Sequence, residues 1–281
     1  MKPSPIKKII VFVKQGSERA FDACLKIKKW AMTHDIAVWD TSKYTNPIPL
    51  KKLMDIQLGI VFGGDGTFLT FVRQLSKKDC FPIVGVNLGS LGFITELDEA
   101  ELSELLPKIV EGRFPEEKRM LLNVEVIREG KILSQGLIFN DAIITKDAGT
   151  TMLHLDIFVE KEHLSYVRGD GYIVATPTGS TAYALSAGGA ILYPSLLGYV
   201  LVPICSHSLS TRPAIIPHQK KTHVLLRQFR GSAYLVFDGK IETKLQPNDK
   251  INFEVSDVSL RLIRPHQKRW AKILQTKLNM G

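Results

Sequence analysis

Apolar and polar residues alternate in two different ways along the chain, and the change falls near residue 115. Before it, short apolar runs such as "KIIVFV", "LGIVF" and "PIVGVN" are separated by segments with helical periodicity. Strands that alternate with helices predict a parallel sheet covered by helices, with ligands at the carboxyl ends of the strands. We therefore expect an α/β N-terminal domain with a parallel sheet over residues 1–115.

Three helices of this half are predicted from periodicity and end signals. The first begins at Ser17. Its apolar face is expected to hold Phe21, Cys24, Leu25, Lys28 and Met32. The second is predicted from Phe68 to Lys77, and the third covers "ELSELLPKIVEGRFP", where a glycine and a proline end it.

From about Leu121 the apolar runs instead resemble antiparallel strands, such as "NVEVI", "SQGLIFNDAIIT" and "HLDIFVE". Helical signals are scarce there, which predicts a mostly β C-terminal domain, a sandwich or layered sheets, over residues 116–262. The basic, helical segment 263–281 is expected to pack back on the N-terminal domain.

Composition fits a soluble globular protein of two domains, with 281 residues, 44% of them hydrophobic and 23% charged. The formal net charge is +9, but the basic residues occur as scattered pairs such as Lys7-Lys8 and Lys28-Lys29. A stripe of basic residues with interleaved aromatics, typical of nucleic-acid binding, is missing from the sequence. The charge therefore favours polyanionic small molecules over nucleic acid.

Cysteine usage and hydropathy indicate the compartment. Cys24, Cys80 and Cys205 are widely spaced and have no CxxC or histidine partner at metal spacing, so neither a disulfide framework nor a zinc site is indicated. The apolar run Ile9 to Val13 is too short for a signal peptide, and no run approaches the roughly 20 apolar residues of a membrane span. We expect a cytoplasmic protein without a membrane partner.

The stretch "LGIVFGGDGTFLTFVRQL" reads as a buried strand, a glycine turn and a helix, which is the layout of a phosphate-binding loop. Asp65 lies in the middle of the turn, where the GxxxxGK[ST] loop has a lysine nearby. Two like charges ~4 Å apart repel by about 4 kcal/mol at an effective dielectric constant of ~20. Either this is a plain tight turn or the carboxylate has a chemical task.

A second glycine turn, "GVNLGSLGFITE", follows another apolar strand. Gly89 and Gly92 allow close backbone approach, and Phe93 is either a ring against a base or a core residue. A third segment, "RGDGYIVATPTGSTAYALSAGGAIL", has a carboxylate between glycines, a strand and a turn dense in hydroxyls before a short helix. Such a turn suits an anion or a hydroxyl group, whereas helix capping by Ser180 or Thr181 accounts for one residue of it.

The pair Asn140-Asp141 interrupts the otherwise apolar strand "SQGLIFNDAIIT". Buried Asn and Asp side chains need hydrogen-bond partners, which an adenine edge and a ribose diol would supply. In this order and spacing, "GGDGT", "NDAII" and the segment Gly169 to Leu192 resemble the signatures of the NAD kinase family. The resemblance runs from about Gly59 to Gly239, and Asp141 stands where many members have Glu.

The resemblance implies a two-domain NAD kinase-like fold and a set of residue roles. Asp65 would contact and activate the 2′-hydroxyl of the adenosine ribose, while Gly64, Gly66 and Thr67 would line the path of the donor phosphates. A magnesium ion or another divalent metal, carried on ATP, would offset the charge of the carboxylate, so no protein metal site is implied.

The same resemblance implies an adenosine pocket. Asn140 and Ser186 would contact the adenine edge, Asp141 the ribose, and Tyr183 with Phe93 would flank the adenine plane. Further contacts would come from Thr181 and Ala182 through their backbone, from Arg168 and Asp170 near the nicotinamide, partly from a neighbouring subunit, and from Asp238. A plain Asp-Gly turn explains Asp238 almost equally well.

The sequence is thus expected to encode a magnesium-dependent phosphotransferase that makes NADP from NAD and ATP, acting as a homodimer or homotetramer. Two alternatives stay open. A lipid kinase of the diacylglycerol or sphingosine type also carries a "GGDGT"-like turn, although an adenine pocket favours a dinucleotide. A non-catalytic dinucleotide sensor would keep the pocket, although it would gain nothing from a carboxylate at the 2′-hydroxyl.

Overall fold

The computed structural model describes residues 5–42, 48, 53, 55–75, 81–208, 210–264 and 270–279. The chain forms two compact units. The first unit comprises Met1–Lys118 and Leu260–Gly281, and the second comprises Arg119–Ser259. The C-terminal segment therefore belongs to the first unit.

The first unit has alternating strands and helices. Its strands are β1 Lys8–Val13, β2 Ala37–Asp40, β3 Leu58–Phe62 and β4 Ile83–Val86. Its helices are α1 Glu18–Met32, α2 Asp65–Val72, α3 Glu99–Val110 and, near the C-terminus, α5 Trp270–Leu278. The strands lie in the order β2-β1-β3-β4 and pair in parallel, which confirms the predicted α/β domain.

Helix α1 buries a different face from the one expected. The helix was expected to begin at Ser17, and Ser17 is its N-cap, one residue before Glu18. Cys24 is buried as expected, but Phe21, Leu25 and Met32 are 42%, 37% and 80% exposed. The buried residues are Ala20, Ala23, Cys24, Ile27 and Ala31. Alanines have little weight in a hydrophobic pattern, although they let the helix lie close against the sheet. The predicted apolar face is therefore rotated around the helix axis by about one residue from the buried face.

Helix α2 begins earlier than predicted. Its first residue is Asp65 rather than Phe68, and it ends at Val72; the predicted end at Lys77 lies outside the described residues. The carboxylate of the glycine turn thus lies in the first turn of a helix, where the helix dipole favours negative charge. Helix α3 starts in a capping box formed by Asp98 and Glu101.

The second unit is built mainly of strands. They are β5 Glu116–Arg128, β6 Lys131–Ile138, β7 Asp141–Lys146, β8 Leu153–Val159, β9 Glu162–Gly169, β10 Gly171–Ala175, β11 Gly198–Ile204, β12 Ala214–Pro217, β13 Thr222–Gln228, β14 Ala233–Phe237, β15 Lys240–Leu245 and β16 Lys250–Ile263. Strands β5 and β16 extend into the first unit at one end, and Leu262 of β16 pairs in parallel with Ile83.

Two sets of antiparallel strands enclose one common core in this unit. One sheet has the order β12-β11-β10-β7-β14-β15, and the other contains the run β16-β13-β8-β9 with β5 and β6. Leu155 and Val224 of one sheet and Ile144 and Leu235 of the other belong to the same cluster of buried side chains. The predicted mostly β domain of layered sheets is therefore confirmed.

The stretch "SQGLIFNDAIIT" is two strands, not the single strand that was predicted. Strand β6 ends at Ile138 and pairs with β5, whereas β7 begins at Asp141 and lies in the other sheet between β10 and β14. The chain passes from one sheet to the other at Phe139 and Asn140. The polar pair lies at this bend because backbone groups there leave the strand ladders and need other partners.

Within the described residues, no helix has the length and the apolar composition needed to cross a membrane.

Candidate functional site

The "GGDGT" turn joins the carboxyl end of β3 to α2, as a ligand-binding turn at the edge of a parallel sheet requires. Gly63 has φ +154°, and a Cβ there would lie 2.4 Å from Thr67 Oγ1, so only glycine fits. Gly64 and Gly66 are exposed and face open space, while Thr67 is half-buried. Two backbone segments of the turn are therefore accessible to a ligand.

The Asp65 carboxylate is held by the second glycine turn. Its Oδ2 accepts a hydrogen bond from Phe93 N at 2.8 Å. Its Oδ1 accepts from Ile94 N and Thr95 N, both at 3.1 Å, and from Thr95 Oγ1 at 3.0 Å. Four donors from one short segment fix the orientation of this half-buried side chain.

The two glycines of the second turn have different surroundings. A Cβ at Gly92 would lie 2.2 Å from Asp65 Oδ1, so the close approach predicted there is made to the carboxylate. Gly89 faces open space. Phe93 is half-buried and touches the site through its backbone amide, and its predicted place beside an adenine ring stays a prediction.

In the second unit, Asp238 holds the bend that carries Asn140 and Asp141. Its Oδ1 accepts from Asn140 N at 2.7 Å and from Asp141 N at 3.1 Å, and its Oδ2 accepts from Phe139 N at 2.9 Å. Asp238 is 4% exposed. It also lies in the expected Asp-Gly turn, with φ +45° followed by +80° at Gly239.

The side-chain oxygen of Asn140 needs a hydrogen-bond donor. Its Oδ1 is buried and has no hydrogen-bond partner in the described part of the chain. A buried amide oxygen without a donor costs free energy, so such an atom in a native protein calls for a ligand or water. The geometry at Asn140 thus suits a ligand that carries an N–H group.

Asp141 is 4% exposed and accepts a hydrogen bond from the backbone amide of Tyr183. Burial raises the pKa of the Asp141 carboxyl to about 7, with repulsion from Asp238 acting in the same direction and the Tyr183 amide opposing both. This carboxyl therefore changes charge near neutral pH.

The hydroxyl-rich loop packs directly on Asn140. Thr176 Oγ1 donates to Phe139 O at 2.6 Å and accepts from Gly179 N at 3.2 Å. A Cβ at Gly179 would lie 2.1 Å from Asn140 O, which leaves glycine as the fitting residue. Ser180 is buried and accepts from Leu192 N at 2.9 Å, so it ties the loop together rather than capping a helix.

The residues that follow this loop form a 3₁₀ turn, Gly179–Thr181, and a helix α4 of only four residues, Tyr183–Ser186. The Thr181 hydroxyl donates to Thr178 O. Ala182 N donates to Gly179 O and Ala182 O accepts from Leu185 N, so its backbone is already bonded within the loop. Tyr183 and Ser186 are exposed and open to a ligand.

Arg168 and Asp170 have hydrogen-bond and ion-pair partners outside this cluster. Arg168 is exposed, near the end of β9, and its carbonyl accepts from His207 N. The Asp170 carboxylate forms an ion pair with Lys146 at 3.4 Å. No hydrogen bond joins Arg168 or Asp170 to Asn140 or Asp141 among the residues that the structure describes.

The structure thus brings Asp65 and Phe93 together in the first unit, and Asn140, Asp141, Asp238 and Tyr183 in the second. Thr95 and Thr176 were missed by sequence reasoning. Both are threonines one to three residues from a glycine turn or a strand end, a signal too common to single them out. In the described residues no group of three or more His, Cys, Asp or Glu side chains is arranged to hold a metal ion.

The fold and these turns define a two-domain protein of the nucleotide-binding class, with glycine turns at strand ends and an unpartnered amide beside a carboxyl. Family models named ATP-NAD kinase N-terminal domain and ATP-NAD kinase C-terminal domain match residues 12–114 and 139–265. The NAD kinase of Solibacter usitatus is 36% identical over 98% of both chains. That of Aquifex aeolicus is 34% identical over 98% of this chain and 100% of its own. The chain belongs to the ATP-NAD kinase family.

Solved structures agree on the fold. A yeast NADH kinase complexed with NADH superposes with a TM-score of 0.91 at 23% identity, over 99% of this chain and 89% of the yeast chain. An NAD kinase from Archaeoglobus fulgidus in complex with ATP gives a TM-score of 0.78 at 23% identity, over 98% and 100% of the two chains. The two-domain fold predicted from the sequence is that of these kinases.

Proposed function

We propose that this protein transfers the γ-phosphoryl group of ATP to the 2′-hydroxyl of the adenosine ribose of NAD, forming NADP. Membership of the ATP-NAD kinase family supports this activity. The lipid-kinase and sensor alternatives find no support among these relatives. The single observation that carries the assignment is the buried, unpartnered Oδ1 of Asn140, because the 6-amino group of adenine is a donor of the required kind.

Each candidate residue then has a role in binding or transfer. Asn140 and Ser186 contact the adenine edge, Tyr183 and Phe93 flank its plane, and Asp141 accepts from the ribose. The loop residues Thr181 and Ala182 border the base, and Arg168 with Asp170 lies toward the nicotinamide. Asp238 acts through the backbone of Asn140 and Asp141, since both its oxygens are bonded to that bend.

In the transfer step, the 2′-hydroxyl oxygen forms a bond to the γ-phosphorus, and the bond from the γ-phosphorus to the β–γ bridging oxygen breaks, leaving ADP. The hydroxyl proton passes to the Asp65 carboxylate. The exposed backbone of Gly64 and Gly66, with Thr67, borders the phosphates. Magnesium carried on ATP would neutralise charge on its phosphates.

We further propose a cytoplasmic homodimer or homotetramer that binds neither nucleic acid nor membrane. Cys24 and Cys205 are free thiols, as a reducing compartment favours; Cys80 lies outside the described residues. Light scattering of the purified protein measures the assembly directly. A gel-shift titration with duplex DNA tests for nucleic-acid binding, which would be tight and salt-sensitive if the basic excess neutralised phosphates.

The assay that tests the function incubates the purified full chain with NAD, ATP and magnesium, and measures NADP with an NADP-specific dehydrogenase. Parallel reactions replace NAD by NADH, ATP by polyphosphate, or NAD by diacylglycerol or sphingosine. We expect a phosphorylated dinucleotide, NADP from NAD or NADPH from NADH, only when an acceptor dinucleotide and a donor are both present. NAD binding without turnover would favour the sensor, and phosphorylated lipid would favour the lipid kinase.

A further inference from the structure

The hydroxyl of Thr95 is the one side-chain donor among the four that hold Asp65 within the described residues. Thr95 is 0% exposed, and its Oγ1 lies 3.0 Å from Asp65 Oδ1. The other three donors are backbone amides of Phe93, Ile94 and Thr95 itself. A side chain that bonds a candidate catalytic carboxylate from a fully buried position can fix the place of that carboxylate.

The segment around Thr95 is built to hold that contact. Gly92 N donates to Thr95 O at 3.1 Å and closes the turn. Asn87 Nδ2 donates to the same carbonyl at 3.4 Å and to Leu97 O at 3.0 Å. A Cβ at Gly85 would lie 2.9 Å from Thr95 Cγ2, so the methyl group fills the space that this glycine leaves. The Thr95 side chain is therefore fixed on its polar and its apolar side.

The four bonds are distributed unequally over the two carboxylate oxygens. Oδ1 accepts three of them, two from amides and one from the hydroxyl, whereas Oδ2 accepts one. An ionised carboxylate has about four acceptor positions, two on each oxygen, so three donors share the two positions of Oδ1 and one donor uses one of the two on Oδ2. Within the described part of the chain, the position still available lies on Oδ2.

We propose that Thr95 is a positioning residue for phosphoryl transfer: its hydroxyl holds Oδ1 of Asp65 so that Oδ2 is presented to the acceptor hydroxyl of the substrate. This inference rests on the proposed function, because it needs Asp65 to receive the hydroxyl proton. Thr95 does not touch the substrate and acts through Asp65. A side chain of the second glycine turn thus orients the carboxylate of the first.

The test compares two pairs of variants that differ by one hydroxyl, Thr95→Val with wild type and Thr95→Ala with Thr95→Ser. Turnover, the KM for NAD at saturating magnesium-ATP and the thermal midpoint are measured for each. Misplacing a reacting group by about 1 Å can cost on the order of 100-fold, so we expect kcat to fall between about 10- and 100-fold without the hydroxyl. The KM for NAD should stay close to wild type, and Thr95→Ser should restore turnover.

Thr41→Val is the matched control, because Thr41 is 1% exposed in the same unit and its Oγ1 has no hydrogen-bond partner among the described residues. It should leave kcat unchanged. If Thr95→Val misfolds, the Ala and Ser variants still isolate the hydroxyl. Equal kcat within both pairs, or an unchanged kcat with a raised KM, would overturn the positioning role. A wild-type protein that forms no NADP would instead overturn the proposed function and this role with it.

Discussion

Asp238 Oδ1 lies 2.7 Å from the backbone nitrogen of Asn140, across 98 residues of sequence. With its bonds to Phe139 N and Asp141 N, this one carboxylate accepts from three successive amides at the bend between two sheets. The Asp-Gly turn and the binding pocket are thus not competing explanations for Asp238. The turn places the carboxylate, and the carboxylate places the two residues proposed to bind adenosine.

Asp238→Asn should lower both stability and affinity for NAD. The amide nitrogen of Asn would face a backbone donor, and a buried donor left unsatisfied costs about 1–3 kcal/mol. Asn tolerates positive φ as Asp does, so the turn itself is not strained. We expect a lower thermal midpoint and a raised KM for NAD. Asp147→Asn, at an exposed aspartate of the same unit, is the control, and equal behaviour of the two variants would refute the role.

The raised pKa of Asp141 predicts how stability depends on pH. Because the pKa is about 7 in the folded state, against an ordinary value of 3.8, the folded protein binds this proton more tightly than the unfolded chain. The resulting stabilisation is complete below pH 3.8 and is lost as pH rises through about 7. Asp141→Asn removes the titration, so its stability relative to wild type should increase between pH 5 and pH 8, by at most about 1.4 kcal/mol per pH unit.

Substrate affinity should follow the opposite course. Ribose hydroxyls donate to the ionised carboxylate, so wild-type affinity for NAD should increase from about pH 6 to pH 8. The Asp141→Asn variant should show weaker binding with little of this dependence. Chemical denaturation and NAD titration at each pH measure the two trends. A wild-type stability profile parallel to that of Asp141→Asn would show that the carboxyl does not titrate in this range.

Tyr183→Ala and Asn140→Ala should each raise the KM for NAD with little effect on stability. Tyr183 is 47% exposed, and Asn140 Oδ1 has no partner to lose among the described residues. Loss of a stacked ring costs about 0.5–1.5 kcal/mol beyond area burial, and an unpaired adenine edge costs about 1–3 kcal/mol. Tyr166→Ala, at a tyrosine that is 46% exposed, is the matched control. Unchanged NAD affinity in both variants would show that the pocket lies elsewhere.

The fold could be predicted where local patterns decide it. Buried runs such as β1 and β3 and the glycine turn after Phe62 have strong signals, because apolar strands and positive φ restrict the residues that fit. The face of α1 was predicted wrongly because three of its five buried residues are alanines. The bend at Asn140 was read as a strand because both flanking strands are apolar, and sequence alone does not show that they belong to different sheets.

In the candidate site too, some residues could be predicted from the sequence and others could not. Asp65 and Asn140-Asp141 stand out because charged or amide groups interrupt apolar segments, and such exceptions are visible in a sequence. The partners that hold them are not. Thr95 reaches Asp65 across 30 residues and Asp238 reaches Asn140 across 98, and nothing in local sequence encodes those pairings. Hydrogen bonds between distant segments depend on the tertiary fold, so the structure was needed to find them.

Asp65→Asn should abolish most phosphoryl transfer while NAD still binds. The substitution keeps one acceptor oxygen for Thr95 but removes the charge and the proton acceptor. It also turns an amide donor toward Phe93 N, so some loss of thermal stability is expected as well. General-base catalysis is typically worth ~10²–10⁴-fold, which sets the expected loss in kcat at saturating NAD and magnesium-ATP.

A magnesium series separates the two accounts of Asp65, as proton acceptor and as metal ligand. Initial rates of wild type and Asp65→Asn are measured over increasing magnesium at fixed ATP, with NAD binding followed by titration. Asp22→Asn, at an exposed aspartate of the first unit, controls for the loss of one negative charge. We expect no recovery, because a proton acceptor is not replaced by more metal. Partial recovery would make Asp65 a metal ligand, and near-wild-type turnover at every concentration would refute both roles.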